Sequence, residues 1–266
     1  MRILVAVCAV SFVVLIPAAA WAQATDVQRT ASQREDFRLK LDSEFGLLNV
    51  LQNDIQINRD GSTVSLTDDA GQDIFFRFLR LSAEALLAQR HTVKFLYQPL
   101  DLRTRSVFVE DETVGGVVFP MGTPVDVRYG FDFYRLSYQY DIFRSERLEV
   151  GVGGGFQIRL SRQEFTSVDG SLAVSRRNIG PVPLLRARAS YKFDNGWFVG
   201  SEIDGFYANI RIANGSTDAE VEGSILDWSV RGGKQLRPGL SSYLALRYLG
   251  GGARGDNPSD AGGMFV

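Results

Sequence analysis

The sequence is poor in cysteine and histidine, two residue types on which much enzyme and metal chemistry depends. Its 266 residues include one cysteine, Cys8, and one histidine, His91. Cys8 lies in an apolar N-terminal stretch, so the remainder of the chain has no thiol for a disulfide or a thiolate metal site. We also find no grouping of His, Asp and Glu at metal-ligand spacing. We therefore predict a protein without a bound metal or another cofactor.

Long apolar runs are also lacking beyond the N-terminus. Arg2 precedes an apolar run over residues 3–16, and small residues follow up to Ala22. This pattern is typical of a secretory signal peptide, here residues 1–22, with cleavage between Ala22 and Gln23. The run is too short for a membrane helix, which needs about 20 apolar residues. We therefore expect Sec-type export and a mature chain without a transmembrane helix.

The chain also lacks an excess of charge of either sign. Without residues 1–22 it contains 28 basic and 31 acidic residues, a net charge of −3. Nucleic-acid binding and polybasic attachment to anionic lipid both require a basic surface. We predict neither, and no nucleic-acid partner.

Alternation of apolar and polar residues is abundant in the mature chain. Residues 147–161 show it most clearly, because Leu148, Val150 and Val152 alternate with Arg147, Glu149 and Gly151. Such a period of two is typical of β-strands with one apolar face. The pattern predicts an all-β protein with nine strands, at residues 37–47, 74–87, 92–104, 126–140, 147–161, 182–193, 197–210, 223–235 and 240–249.

The segments between these strands alternate between short turns and long polar loops. Long segments occur at 48–73, 105–125, 162–180 and 211–222. Bacterial outer-membrane barrels have short periplasmic turns and longer extracellular loops. The spacing therefore predicts an antiparallel up-and-down transmembrane β-barrel, and the two long loops 48–73 and 105–125 are candidate surface contacts.

The short turns also predict the register of the strands. A three-residue loop at Asp194-Asn195-Gly196, with Gly196 at positive φ, sets Arg188 opposite Glu202 and Arg186 opposite Asp204. A two-residue loop would mix the polar and apolar faces.

Two further hairpins behave in the same way. A loop at 237–239 aligns Trp228 with Tyr248, and a loop at 88–90 aligns Glu84 with Lys94. Each cross-strand pair contributes only about 0.2–1 kcal/mol. In all three hairpins, however, the predicted register places charged residues opposite charged ones or apolar residues opposite apolar ones, which supports the fold.

Alternation alone does not say which face is inside. A soluble, lipocalin-like barrel would have the same pattern with its apolar face inward. The unequal rims, the glycines on the polar face and the aromatic residues near strand ends, such as Tyr140, Phe193 and Trp197, favour the membrane barrel.

The hairpin Tyr191-Lys192-Phe193-Asp194-Asn195-Gly196-Trp197 and the run from His91 to Leu100 resemble segments of proteobacterial small outer-membrane barrels. The resemblance is to the broad OmpA-like and porin-like group, and it covers nearly all of the mature chain. It implies a Gram-negative outer-membrane location. It also implies contact with outer-membrane lipid and with the barrel-assembly machinery, but no particular activity. We expect a monomer, and the sequence identifies no extracellular partner.

Nine strands do not close a single-chain barrel, which has an even strand number. We therefore predict a ten-stranded plan whose last strand is missing, with eight strands as the alternative. The domain boundaries that follow are a signal peptide at 1–22, a periplasmic segment at 23–36, barrel strands within 37–250, and an extracellular loop or truncated tail at 251–266.

The polar faces of the strands would line the lumen with charges of both signs. Either these charges pair and fill the lumen, or they line a narrow solute channel. The mixture of signs favours pairing and thus a structural or surface-interaction barrel. The ion-pair candidates are Glu84, Lys94, Arg186, Arg188, Glu202, Asp204, Asp227, Arg231 and Arg247.

A lipid-modifying outer-membrane enzyme is a third hypothesis, which His91 disfavours. Enzymes of this kind use a histidine near the outer leaflet, whereas the predicted topology puts His91 at a periplasmic turn, with Ser82 as its nearest candidate serine. We therefore predict no catalytic residue and a protein that is not an enzyme.

Overall fold

The computed structural model describes residues 3–16, 37–56, 63–65, 75–214 and 217–256. All regular elements among them are β-strands, which confirms the all-β fold class. No helix in these ranges has the length and apolarity that crossing a membrane would require. The strands are β1 (Ile3–Ile16), β2 (Phe37–Gln56), β3 (Thr63–Ser65), β4 (Phe75–Leu87), β5 (His91–Gln98), β6 (Asp101–Val107), β7 (Glu112–Val114), β8 (Val117–Phe119), β9 (Pro124–Arg144), β10 (Leu148–Ser167), β11 (Ala173–Lys192), β12 (Trp197–Asn214), β13 (Thr217–Arg237) and β14 (Leu240–Asp256).

The main sheet is an antiparallel ring. Successive strands pair in the order β2, β4, β5, β9, β10, β11, β12, β13 and β14. β5 and β6 share one ladder on β9, since Gln98 pairs with Phe133 and Asp101 with Gly130. They are therefore one strand interrupted at Pro99, which has no backbone N–H to donate. The nine predicted strands are all present.

The tenth position in the ring is occupied by β1, which pairs with β14 on one side and with β2 on the other. In the described part of the chain the ring therefore has ten strands, as the ten-stranded plan predicts and unlike the eight-stranded alternative, and β1 fills the position of the strand that was expected to be missing. Two open edges would leave rows of backbone N–H and C=O groups without partners. The Val- and Ile-rich run of β1 suits a strand, and it lies where a closing strand is needed. The signal-peptide assignment of this run stays a prediction, and the cleavage residues Ala22 and Gln23 lie, like segment 23–36, outside the described residues.

All three predicted hairpin registers are confirmed. Arg188 pairs with Glu202 and Arg186 with Asp204, while Trp228 pairs with Tyr248. Gly196 has a φ of 82°, and the Phe193 N–H donates to the Trp197 carbonyl at 2.8 Å.

The first hairpin pairs Glu84 with Lys94, also as predicted. Its loop has two non-glycine residues at positive φ, Ala88 at 45° and Gln89 at 65°. Their residue types gave no indication of this conformation.

The strands are longer, and the connections on the loop side shorter, than predicted. β10 and β11 pair as far as Thr166 and Ala173, so most of the predicted loop 162–180 is a hairpin. Likewise, β14 ends at Asp256 and not at residue 250. The alternation reads less clearly there because polar residues occur on both faces. The predicted loop 105–125 contains the end of β6, the β7–β8 hairpin and the start of β9.

The faces of the barrel have the sidedness of a membrane protein. On β9, Leu136 and Tyr138 on the outer face are 58% and 48% exposed, whereas the intervening Ser137 and the inward Arg135 are 3% and 1% exposed. Apolar residues therefore point outward and polar residues inward. This arrangement excludes the lipocalin-like alternative, which places the polar face outside.

The apolar outer face forms a band of defined height. On β10 it extends from Leu148 to Leu160, beyond which Arg162 and Glu164 occupy the outer positions. Twelve steps of about 3.4 Å give roughly 41 Å along the strand. A tilt of about 40° reduces this length to roughly 31 Å, close to the ~30 Å hydrocarbon core of a bilayer.

The interior has two layers. Along β9, the inward residues change from Arg135 and Gln139 near the turns to Phe133 and Tyr129 near the loops, all of them buried. The apolar layer is completed by other strands and by the segment over the loop-side opening, through Leu48, Phe78, Leu96, Leu102, Phe108, Val114, Phe119, Phe165 and Leu249.

Candidate functional site: the charged lumen

Asp227 is the centre of the polar layer. Its carboxylate is fully buried and lies 2.6 Å from Arg247, 2.9 Å from Arg135 and 3.1 Å from Arg80. Arg135 also forms an ion pair with Asp204. Strands β4, β9, β13 and β14 are thereby connected through one carboxylate.

A second group of ion pairs surrounds Glu202. Lys94 lies 3.0 Å from this carboxylate and Arg186 lies 2.5 Å from it. Arg186 also reaches Asp204 at 3.1 Å. The two predicted acidic residues of β12 therefore share one arginine, and each has a further cation of its own.

The ion pairs only partly follow the predicted cross-strand neighbours. Arg186 and Asp204 are both neighbours and partners, but Arg188 reaches across the lumen to Glu84 at 2.8 Å. Lys94, although opposite Glu84, pairs with Glu202. In a narrow barrel, long side chains reach the far wall as easily as the adjacent strand, which register alone does not show.

The remaining candidates lie at the edge of this network. Arg231 is 3.9 Å from Asp42 and stacks over the Tyr243 ring, 5.6 Å from its centroid. Arg247 joins Asp227 to Glu44, which it contacts at 3.2 Å. All nine predicted ion-pair candidates thus lie in the lumen.

Neutral residues complete the network, and sequence reasoning did not single them out. Gln98 accepts a hydrogen bond from Arg80 at 2.8 Å, and Gln157 accepts from Arg135 at 2.7 and 2.9 Å. The Tyr243 hydroxyl contacts Asp42 and Glu44 at 2.8 and 2.9 Å. Their place on the polar face of alternating strands was the available signal.

These contacts span the barrel. β4 and β13, β5 and β12, and β4 and β11 each lie four positions apart in the ten-membered ring, and the pairs of Asp227, Glu202 and Glu84 connect them. Buried carboxylates held by two or more cations stay ionised, and such groups are poor proton donors. The arrangement therefore suits cross-bracing better than acid–base catalysis.

His91 lies in an aromatic cluster at the turn end. Its Nδ1 is 2.8 Å from the Tyr138 hydroxyl, and its ring makes an edge contact with Tyr140 at a centroid separation of 5.3 Å. In the β4–β5 ladder Ser82 pairs with Leu96, which lies five residues beyond His91 on β5. The structure therefore does not bring the histidine and this serine together.

Within the described ranges, no group of three or more His, Cys, Asp or Glu side chains could hold a metal ion.

Comparisons with known proteins give likenesses of fold at low identity. No protein-family model matches the chain, and no curated protein does. Among solved structures, the outer membrane protease OmpT from Escherichia coli is 8% identical with a TM-score of 0.40, over 96% of this chain and 95% of that one.

Two others are an outer membrane protein and a transporter by name. The outer membrane protein AlkL in lipid bilayers is 16% identical with a TM-score of 0.32, over 88% of this chain and 94% of that one. The Ralstonia pickettii toluene transporter TbuX is 9% identical with a TM-score of 0.31, over 96% and 89%. Since a protease and a transporter appear at comparable similarity, these likenesses assign no activity.

Proposed function

We propose that this chain is an integral β-barrel of the bacterial outer membrane, without enzymatic activity, that serves as a structural or surface-interaction protein. The observation that carries the proposal is the sidedness of the barrel, apolar outside and ionic inside. In a bilayer every backbone polar group must be paired internally, and a closed sheet meets that requirement. Membership of the OmpA-like and porin-like group, a monomeric state and handling by the barrel-assembly machinery belong to the same proposal.

Aromatic residues at the turn end support a membrane boundary there. Tyr140 and Phe143 on β9, and Phe193 and Trp197 at the next turn, are 37–51% exposed on the outer side. Tyr and Trp concentrate where the hydrocarbon meets the polar headgroups. These residues would form the girdle on the periplasmic side.

The lumen supports a closed barrel more than a channel. Arg135, Gln98, Gln139 and Gln157 are at most 1% exposed and lie in the same layer. Beyond that layer, Phe133 and Tyr129 belong to an apolar layer that is equally buried. A hydrated solute would have to break several ion pairs, then cross an apolar layer. We therefore favour the structural role over a narrow solute channel.

The location of His91 supports a non-enzymatic role for the protein. Its ring contacts two tyrosines at the turn end, and it is separated from the loop end by the length of β5 and β6. A lipid-modifying enzyme would need its histidine near the outer leaflet, at the loop end.

Single-channel recording of the full-length protein in planar bilayers tests the closed lumen. We expect no discrete conductance steps under conditions in which a porin conducts. Regular openings of the unmodified protein would contradict the structural role and support a channel. The matched variants are Asp227→Ala, which breaks three ion pairs, and Asp194→Ala, whose only ion pair in the described structure is an exposed one with Arg147. Openings in the first variant alone would place the closure at the ionic layer.

A further inference from the structure

A cavity of about 130 Å³ opens at the turn end of the barrel, below the ionic layer. We call it the turn-end vestibule. Its charged lining has five basic residues, Arg38, Lys40, Arg188, Lys192 and Arg231, but only two acidic ones, Glu84 and Glu149. The cavity is thus strongly basic although the chain as a whole has a net charge of −2.

The two acidic residues of the vestibule are already neutralised. Glu84 pairs with Arg188 at 2.8 Å. Glu149 lies 3.0 Å from Lys192 and 3.3 Å from Arg144. Neither carboxylate is therefore available to balance the remaining basic groups.

Among the described residues, Arg38 and Lys40 form no direct ion pair, although Glu84 and Asp42 attract Lys40 at longer range. Both point to the inner face of β2, where Lys40 lies opposite Glu84 in the ladder. No carboxylate of the described residues is within ion-pair distance of either, and the ion pair of Arg231 with Asp42 is long, at 3.9 Å. Like charges gathered in a partly enclosed space raise the local potential and attract an anion.

We propose that the turn-end vestibule binds a small divalent oxyanion of the phosphate type. The cavity volume of about 130 Å³ is several times what one water molecule needs, which is room for a tetrahedral oxyanion. Lysine and arginine are the usual donors to such groups. Ser190 and Ser241 also line the cavity and add hydroxyl groups.

The ligand would bind from the turn side without crossing the barrel. Directly above the vestibule, Lys94, Arg186 and Glu202 are at most 8% exposed, and both cations form ion pairs with Glu202. The site would therefore be a periplasmic receptor or anchoring site for the anion, a role beyond the structural one.

Titration calorimetry with inorganic phosphate tests this site on the full-length protein refolded in a zwitterionic detergent at low salt. We expect saturable binding in the unmodified protein and an affinity about tenfold lower in Lys40→Gln, because one charge-assisted contact is lost. The matched control is Lys234→Gln, which removes a lysine at the same end that lies outside the cavity, 5.6 Å from the centre of the Trp197 ring. Its affinity should equal that of the unmodified protein.

Three results would overturn the proposal: no saturable binding, unchanged affinity in Lys40→Gln, or an equal loss in the Lys234→Gln control. The last would indicate diffuse attraction to the basic end. If Lys40→Gln does not show the heat-dependent gel shift of a folded barrel, Ser241→Glu replaces it. That variant puts a carboxylate into the cavity, and it should abolish binding while Lys40 is retained.

Discussion

At the residue scale, Asp169 shows how a single carboxylate can organise the tip of a hairpin. It lies between β10 and β11, where the Ser167 hydroxyl donates to it at 2.6 Å and the Ser171 hydroxyl at 2.8 Å. The Ser171 backbone N–H donates a third hydrogen bond at 3.0 Å. These three donors stabilise the ionised form and lower the pKa of Asp169 to about 2.

The lowered pKa predicts a pH dependence of this tip. A carboxyl group whose pKa is lower in the folded state stabilises that state above its unfolded value, near 3.9. The contribution is lost as the pH falls toward about 2. We expect the Asp169 carboxyl resonance to titrate with a midpoint near 2, and the Ser171 amide to exchange faster in Asp169→Ala than in the unmodified protein.

The next hairpin tip along the chain, at Asp194 on the opposite end of the barrel, provides the control. Its carboxylate is exposed and paired with Arg147, so Asp194→Ala should leave the exchange of Ser171 unchanged. An ordinary midpoint near 4 for Asp169 would contradict the role assigned to the three donors.

At the element scale, the glycines of β10 determine how closely it approaches β9. Gly151, Gly153 and Gly155 face the lumen, and a Cβ atom on Gly155 would meet the backbone carbonyl of Leu136 at less than contact distance. Since a carbonyl in a ladder cannot move without breaking the ladder, these positions require the smallest residue.

Gly155→Ala is therefore expected to lower the free energy of unfolding by about 1–3 kcal/mol, the usual cost of overpacking. Gly232→Ala is the matched control, because a Cβ there has no atom within 4 Å. Urea unfolding of both variants in lipid vesicles, followed by tryptophan fluorescence, measures the difference. Equal midpoints for the two variants would show that β9 and β10 can separate to admit the methyl group.

Much of this element-level structure could be predicted from the sequence, for reasons that differ along the strands. Alternation located all nine strands because each has one apolar and one polar face. Gly196 fixed the register of the β11–β12 hairpin, and the face-matching of Arg186 and Asp204 agreed with it. Towards the loops both faces of the strands are polar, so the alternation does not predict where β10 and β11 end.

The sequence predicts which residues line the lumen, but it does not predict which of them form ion pairs with each other. Arg188 belongs to the lumen by its place on β11, yet its partner Glu84 lies across the ring, 104 residues away in the chain. The buried residue Arg135, which joins two carboxylates, differs in no local way from other inward arginines. Its role depends on which carboxylates lie opposite it across the lumen, and that follows only from the closed ring of strands.

At the scale of the whole molecule, the apolar band predicts how the barrel responds to a charge on its outer face. Leu136 lies within the band on β9 and is 58% exposed. A lysine on the lipid face near the middle of the bilayer costs about 2–4 kcal/mol, whereas near the interfaces the cost falls to about 0–1 kcal/mol. Leu136→Lys should accordingly fold well in detergent yet unfold at lower urea concentration in vesicles.

A second lysine variant distinguishes a membrane effect from a local one. Val109 is 64% exposed but belongs to the segment at the loop end, between β6 and β7. Val109→Lys should unfold at the same urea concentration as the unmodified protein in vesicles. If Leu136→Lys were equally tolerated there, its side chain would be in water and the barrel would not cross a bilayer at that level. If only Leu136→Lys unfolds at a lower urea concentration in vesicles, the outer face of the barrel at Leu136 contacts lipid. The same ring of strands would then separate lipid on its outer face from paired charges on its inner face.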